Sequence, residues 1–444
     1  MARHEWKFFQ RDYEPGTGRD VYTSDSGDIS YDLSSMRFLY SGIDTLRQLY
    51  NCNLKLSRLV EVIDHIERYP GQPIEVGGIE WKVSKGGGKS GYQFILKNQD
   101  LGLIVLLKSF YCDADQRGAH LKLEASPILI YEKGLSGLTS LFRQVASEFG
   151  DTVEATGLAV HLFVDMKGLE LPDDFEQKLA TRSKRAFKAN GISDASFSAS
   201  EAAFVYGRGD TYTFGNAGQL QMCLYNKTLE ALKSGKLNWM EDRWRCTPSV
   251  DNFPESEYRD GSDGKEADTV HRLEFRIHHS VIRQFELGNY EHHGGERMDC
   301  IREPVDLLKH LNALWQYCLK NFRLQHSSIY IHPIWQRLTE DVVFAEVEHD
   351  HFFYKRCYNN PLKKLDGTKR RNVAMWLGNV IKLAALKGLT TEHVCKWLLS
   401  GGLESEIARY FGLRAFGHDD EVWMALFSFV DERLTNHRLN GIAA

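Results

Sequence analysis

Long apolar runs are missing from this chain: no stretch approaches the roughly 18–20 residues that span a bilayer, so a membrane-embedded helix is not expected. Its opening, MARHEWKFFQRDYEPG, is polar and aromatic and has no apolar core before a small-residue cleavage site, which argues against a secretory signal. Paired cysteines are missing too. The eight cysteines stand singly at 52, 112, 223, 246, 300, 318, 357 and 395, so neither a disulfide framework nor a zinc module is indicated. A reducing cytoplasm is the simplest home for such thiols. There is no complete phosphate loop. GGGKS (86–90) invites one, but Gly-x4-Gly-Lys-[Ser/Thr] needs a glycine where this chain has Val83. A hairpin turn is expected there, and no ATPase role is indicated. Excess positive charge is also lacking. A net charge of -5 excludes a uniformly basic coat, although phosphate contacts depend on where Lys and Arg sit.

What is present is a long, patterned chain of 444 residues, enough for two to three domains. Residues 1–35 form a polar lead-in with turn signals. Residues 36–300 alternate strand-like and helical segments, interrupted at about 246–268 by a polar stretch that reads as an exposed insertion. Residues 301–444 are helical in pattern and are expected to form a separate domain. The segment DDFEQKLATRSKRAFKAN predicts a helix on which Lys178, Arg182 and Arg185 share one stripe, with Lys184 and Lys188 alongside. That stripe suits backbone phosphates, and solvated surface charge explains it as well.

Four strands share a telling alternation. Successive side chains on a strand point to opposite faces. Leu121 and Leu123 oppose His120, Lys122 and Glu124; Val160, Leu162 and Val164 oppose His161, Phe163 and Asp165. Leu220, Met222 and Leu224 oppose Gln221, Cys223, Tyr225 and Lys227; Leu273, Phe275 and Ile277 oppose Arg272, Glu274 and Arg276. The expected fold is α+β: a central antiparallel sheet with helices on one face and an open, wet face on the other, plus the helical C-terminal domain.

That polar face gathers carboxylates, an imidazole, cations and a phenol. Glu124, Asp165, Glu274 and His161 suit a divalent cation such as Mg²⁺ or Mn²⁺. Such an ion polarises a phosphoryl oxygen, and Lys227, Arg272 and Arg276 can stabilise added charge. Tyr225 beside them could attack phosphorus, given help in losing its proton. Alternation on any half-exposed sheet also produces polar faces, so the pattern alone leaves catalysis open.

Several segments together resemble the replication initiation factor family of rolling-circle plasmid initiators, filamentous-phage replication proteins and conjugative-element relaxases. YSGIDTLRQLY (40–50) resembles its glycine-hydrophobic-Asp-Thr-Leu opening, and HLKLEASP its early acidic strand. GLAVHLFVD resembles its strand ending in aspartate, TYTFGNAGQLQMCLYNKTLE its glycine turn and tyrosine motif, and HRLEFRI its Arg-Leu-Glu strand. The order matches across roughly residues 36–290. Ala159 and His161 stand where the motif has arginine and aspartate, and the turn FGNAGQ lacks the usual basic residues. No His-hydrophobic-His pair is present, which tells against the other large class of nicking enzymes.

The resemblance implies a rolling-circle initiator that nicks one DNA strand at an origin through a 5′-phosphotyrosine and rejoins it. Tyr225 is the implied nucleophile, with Tyr212 and Tyr206 next, and Lys227 and Glu230 beside it. Asp165 and Glu274, with His161 or Glu124, would hold Mg²⁺ or Mn²⁺; Arg272 or Lys227 would stabilise charge. DNA would be gripped by Lys178, Arg182, Lys184, Arg185, Lys188 and Arg276. A host helicase is the expected partner, a homodimer an expected assembly, and the bacterial cytoplasm the expected location, with no membrane contact. A conjugative relaxase with the same chemistry and a non-catalytic DNA-binding regulator are the alternatives. LESEIARYFGL (403–413) faintly resembles a helix-turn-helix, and its spacing fits ordinary bundle packing equally well.

Overall fold

Period-two alternation commits much of the N-terminal portion to strands, and hydrogen bonding joins eleven of them into one antiparallel sheet. The computed structural model describes residues 6–87, 90–181, 185–186, 212–246, 269–292, 301–345, 354, 356, 361–411 and 419–439. Two units are distinguished, Met1–Cys357 and Tyr358–Ala444. In the first, a small sheet of β1 (Gln10–Glu14), β2 (Arg19–Thr23) and β3 (Ser30–Asp32) precedes the large one. The large sheet begins with β4 (Arg37–Leu54), β5 (Pro73–Val76), β6 (Ile79–Lys85), β7 (Tyr92–Asn98) and β8 (Leu103–Ser109). It continues with β9 (Gly118–Ala125) and β10 (Gly150–Lys167). A short β11 (Leu179–Thr181) leaves it to pair elsewhere, and β12 (Arg185–Ala186), β13 (Tyr212–Gly215), β14 (Leu220–Asn226) and β15 (Val270–Ile277) complete it. The order across it is β12-β13-β14-β15-β10-β4-β9-β8-β7-β6-β5, while β11 pairs with β16 (Phe322–Leu324).

One face of the large sheet is apolar, and helices bury it. These are α1 (Leu56–Arg68), α2 (Pro127–Phe149), α6 (His279–His292), α7 (Leu311–Asn321) and α8 (Pro333–Glu340), with the single turn α3 (Phe175–Lys178) at the edge. Leu162, Leu273, Phe275 and Met222 from the strands join Phe142, Phe285, Trp315 and Leu338 from the helices in one core cluster. Each such side chain contributes about 1.5–3 kcal/mol when fully buried. The start of α2 is set locally: the Ser126 hydroxyl accepts the Leu129 N–H and Pro127 occupies the first turn. The other face carries α4 (Lys227–Lys233) and α5 (Leu237–Cys246), which follow directly on β14. The second unit holds α9 (Pro361–Leu386), α10 (Thr391–Ser400), α11 (Glu404–Tyr410) and α12 (Asp419–Leu439) around its own core of Leu377, Ile381, Leu398, Ile407 and Leu426. The fold is α+β, with a large antiparallel sheet and C-terminal helices. Among the described residues no helix is long and apolar enough to cross a membrane.

Within the polar lead-in, residues 10–32 form the small sheet, which Arg11 ties to the end of α8 by bonds to both Asp20 (2.8 Å) and Asp341 (2.6 Å), with Arg337 3.1 Å from Asp20. Two sequence expectations come out differently. Residues 301–345 belong to the sheet unit, because Leu314, Trp315 and Leu338 finish its apolar cover. Helical periodicity announces an apolar stripe but not the surface that will receive it. Of the helix expected over 173–190, the described residues show only the single turn α3, which is followed by β11; Lys178 lies in α3 and Arg185 in β12, while Arg182, Lys184 and Lys188 lie outside the described residues. Gly86 and Gly87 leave β6 and Ser90 leads into β7, an antiparallel pair, consistent with a hairpin connection, while Gly88 and Lys89 lie outside the described residues.

The cap of α8 makes an acid-sensitive joint. His332 Nδ1 accepts the Ile334 N–H at 3.3 Å, and burial, followed by the charge of Lys178, lowers its pKa to about 4. An imidazole whose folded pKa lies below its unfolded value of about 6.5 costs nothing at neutral pH. Stability is lost as pH falls below about 6.5, and the loss levels off below about 4, reaching at most about 3 kcal/mol. His332→Asn, which keeps an acceptor, is expected to flatten urea-unfolding stability between pH 6.5 and 4; an unchanged slope there would reject this assignment.

Candidate metal centre and nucleophile

Strand register sets the site in rows. Across β14, β15 and β10, Cys223, Glu274 and Phe163 are Cα partners, as are Tyr225, Arg272 and Asp165, and then Gln221, Arg276 and His161. All three rows present these side chains on the face away from the main core. That face is not wet, as alternation suggested. Tyr225 is 5% exposed and Glu274 and Asp165 are 0%. Two causes act together. Ala231, Met240 and Trp244 of α4 and α5 pack over Val270 and Tyr40 at one end, and the charged groups satisfy one another.

Glu274 is the hub. Its Oε1 lies 3.0 Å from His161 Nδ1 and accepts from Arg276 Nε at 2.9 Å, while its Oε2 accepts the Tyr225 hydroxyl at 3.2 Å. Burial works against its ionisation, yet Arg276 and His161 hold the carboxyl well below the usual range. The same burial, reinforced by Glu274, pushes the Tyr225 phenol well above its ordinary value. Burial also lowers the His161 pKa, keeping the ring neutral at pH 7.

A third acid joins this pair from β4. In the pairing with β10, Thr45 is opposite His161 and Ile43 opposite Leu162, so Asp44 is the extra residue of a β-bulge. A bulge re-aims a side chain that strict alternation would send to the other face. Ligand atoms of Asp44, His161 and Glu274 all lie within 4.8 Å of one another, the one such His/Asp/Glu group among the described residues. Two ligands at right angles with bonds of about 2.1 Å are about 3.0 Å apart, which is the His161–Glu274 spacing. The charge count agrees. Asp44, Asp165 and Glu274 face Arg272 and Arg276, leaving one negative charge for a cation to offset.

The expected ligand Asp165 is otherwise engaged. Its Oδ1 accepts Arg272 Nε at 2.6 Å, and its Oδ2 accepts Arg272 Nη2 at 2.8 Å and Trp244 Nε1 at 2.9 Å. Arg272 also reaches Asp44 Oδ1 at 2.5 Å and stacks 3.6 Å from the centroid of Phe163. Almost fully enclosed, it orients Asp44 and Asp165. Glu124 lies outside the triad, held by Arg47 at 2.8 Å. Lys227 pairs with Glu230 at 2.5 Å and stands 6.0 Å from the centre of the Tyr225 ring.

The other candidates are scattered. Lys178 bonds Asp174 at 3.1 Å. Arg182, Lys184, Lys188, Tyr206 and residues 247–268 lie outside the described residues, and Arg185 is described only as backbone in β12. Tyr212 packs on Phe175, ring centroids 5.2 Å apart, on the apolar face. Ile407 sits in the helical core of the second unit, where bundle packing accounts for it.

Over 358 residues the chain is 35% identical to the "Uncharacterized protein ORF430" of Pseudomonas phage Pf1, an alignment covering 80% of this chain and 79% of that protein. No family model matches, and no solved structure matches.

Proposed function

The chain belongs to the family of ORF430 of Pseudomonas phage Pf1, and from that premise we propose that it is a phage-type initiator of rolling-circle replication, nicking and rejoining one DNA strand through Tyr225. One observation carries this reading: the Tyr225 hydroxyl is 3.2 Å from Glu274, itself at ligand spacing from Asp44 and His161. The ordered motifs from YSGIDTLRQLY to HRLEFRI support it, as does a filamentous-phage relative.

In this reading the Tyr225 oxygen forms a bond to the scissile phosphorus while its proton passes toward Glu274 Oε2. The P–O3′ bond breaks, Glu274 returns to its carboxylate as the proton given up by Tyr225 is passed on to the 3′-oxygen, which leaves as a hydroxyl, and the 5′-phosphate stays on tyrosine. Asp44, His161 and Glu274 would hold a divalent cation, which supplies Lewis-acid polarisation of a phosphoryl oxygen. A raised phenol pKa beside a lowered carboxyl keeps the nucleophile protonated at rest. Arg272 serves by fixing Asp44 and Asp165; Lys227 stands 6.0 Å from the centre of the phenol ring. Rejoining reverses the same transesterification and needs no ATP, so strand separation falls to a partner helicase. A conjugative relaxase would use identical steps.

The regulator alternative draws on the near-complete burial of Tyr225 and Glu274, and one assay separates the two. The full chain is incubated with supercoiled DNA carrying its own replicon, with and without Mn²⁺, and run on denaturing gels. Mn²⁺-dependent attachment of one strand to protein is expected; specific binding with no attached strand would leave the regulator standing. Calorimetric titration tests the metal assignment. Asp44→Asn and Glu274→Gln should each weaken Mn²⁺ binding at least about tenfold, the lower end of what even a supporting residue contributes, whereas Glu124→Gln should not. Unchanged affinity in the first two would dismiss the triad.

A further inference from the structure

Beyond His161 the same face continues into a positively charged stretch that the proposed chemistry does not use. Here β10 presents only Gly157 and Ala159, so no side chain of its own fills the middle of the face. Arg47 is the Cα partner of both Ala159 and Glu124, and Leu49 of both Gly157 and Lys122, which sets Arg47 and Lys122 along one side. Opposite, His278 follows the end of β15 and His279 opens α6, with ring centroids 3.9 Å apart. His279 lies directly against Gly157, 3.3 Å from where a β-carbon would be.

The charges here do not close. Arg47 is matched by Glu124 at 2.8 Å. Lys122, half-buried, makes no hydrogen bond or ion pair among the described residues. Desolvating a cation that has no directly bonded counter-charge is costly, and such a group is retained where an anion completes it. Glu124 attracts Lys122 as well as Arg47, so one carboxylate serves two cations and one positive charge is left over; burial and then Arg47 lower Lys122 against the pull of Glu124, while burial, His279, Lys122 and Arg47 bring His278 down to about 4. A single negative charge would relieve all of them.

We propose that Arg47, Lys122, His278 and His279 form a seat for a second phosphate of the same DNA strand whose scissile phosphate lies at Glu274. From His161 to Gly157 is four residues of strand, about 13 Å, or about four stacked nucleotides at about 3.4 Å each. The occupant is therefore a length of single strand and not a mononucleotide. This seat rests on the nicking reading for its partner, but it acts through binding alone.

The test uses the full chain, a fluorescent single-stranded oligonucleotide of its origin, and EDTA, so that no cleavage intervenes. Anisotropy titrations over a salt series give affinity and its salt slope. Lys122→Met should weaken binding about fivefold at 0.1 M salt and reduce the slope by about 0.7, the share of one phosphate on a single strand. Lys122→Arg should restore both. If Lys122→Met does not fold, His279→Gln takes its place with a smaller loss in the same direction. Affinity and slope equal to wild type would overturn the seat, even with adduct formation intact. A reduced slope with no adduct from the unaltered protein would uphold the seat and remove the nicking reading alone.

Discussion

Tyr225→Phe is expected to abolish the covalent protein–DNA adduct while leaving origin binding nearly intact. The phenol is buried and bonded to Glu274 in the resting chain, so its oxygen adds little to DNA affinity and everything to bond formation. Losing a hydrogen bond to an ionised carboxylate costs about 1.5–3 kcal/mol, which the folded chain should survive; a melting curve beside the gel assay checks this. An adduct of normal yield would displace the nucleophile. Tyr212 could not easily inherit the role, since it faces Phe175 on the other side of the sheet, and attention would pass to Tyr206.

The largest expected loss of stability comes from Arg272. Its guanidinium lies 1% exposed between Asp165 and Asp44, with Trp244 bonded to the same carboxylate. Arg272→Met removes the cation and leaves fully buried Asp165 uncompensated beside the partly buried Asp44, at a cost of about 3–5 kcal/mol. Lysine should rescue poorly, because one ammonium cannot reproduce the two parallel bonds to Asp165. Coupling is the sharper measurement: Asp165→Asn in the Arg272→Met background should restore part of the loss, a non-additivity that urea unfolding can read. Additive losses would mean that the two residues are not joined as the distances indicate.

Much of this arrangement was legible in the chain. Alternation in β10, β14 and β15 sorted His161, Asp165, Tyr225, Arg272 and Glu274 onto one face, because a strand buried on one side cannot slip by one residue without exposing its leucines. The same alternation could not disclose that the face would be roofed by Trp244 and Met240, since a polar residue paired with an opposite charge looks like one facing water. Nor could it assign partners: Asp165 reads as a ligand until Arg272 is seen holding both its oxygens. Asp44 was in plain view within YSGIDTLRQLY, yet strict period two points it away from His161. Helices such as α7 showed their apolar stripes but not their destination.

The bulge at Asp44 also uncouples ligand from ladder. Thr45 and Ile43 already face consecutive residues of β10, so excising Asp44 would leave every remaining pair in place and turn no leucine outward. The centre could thus be gained or lost by one codon, without the compensating changes that a ligand inside the regular repeat would demand. A chain shortened by that residue is the natural unligated control: folded, with Tyr225 in position, and lacking one acid.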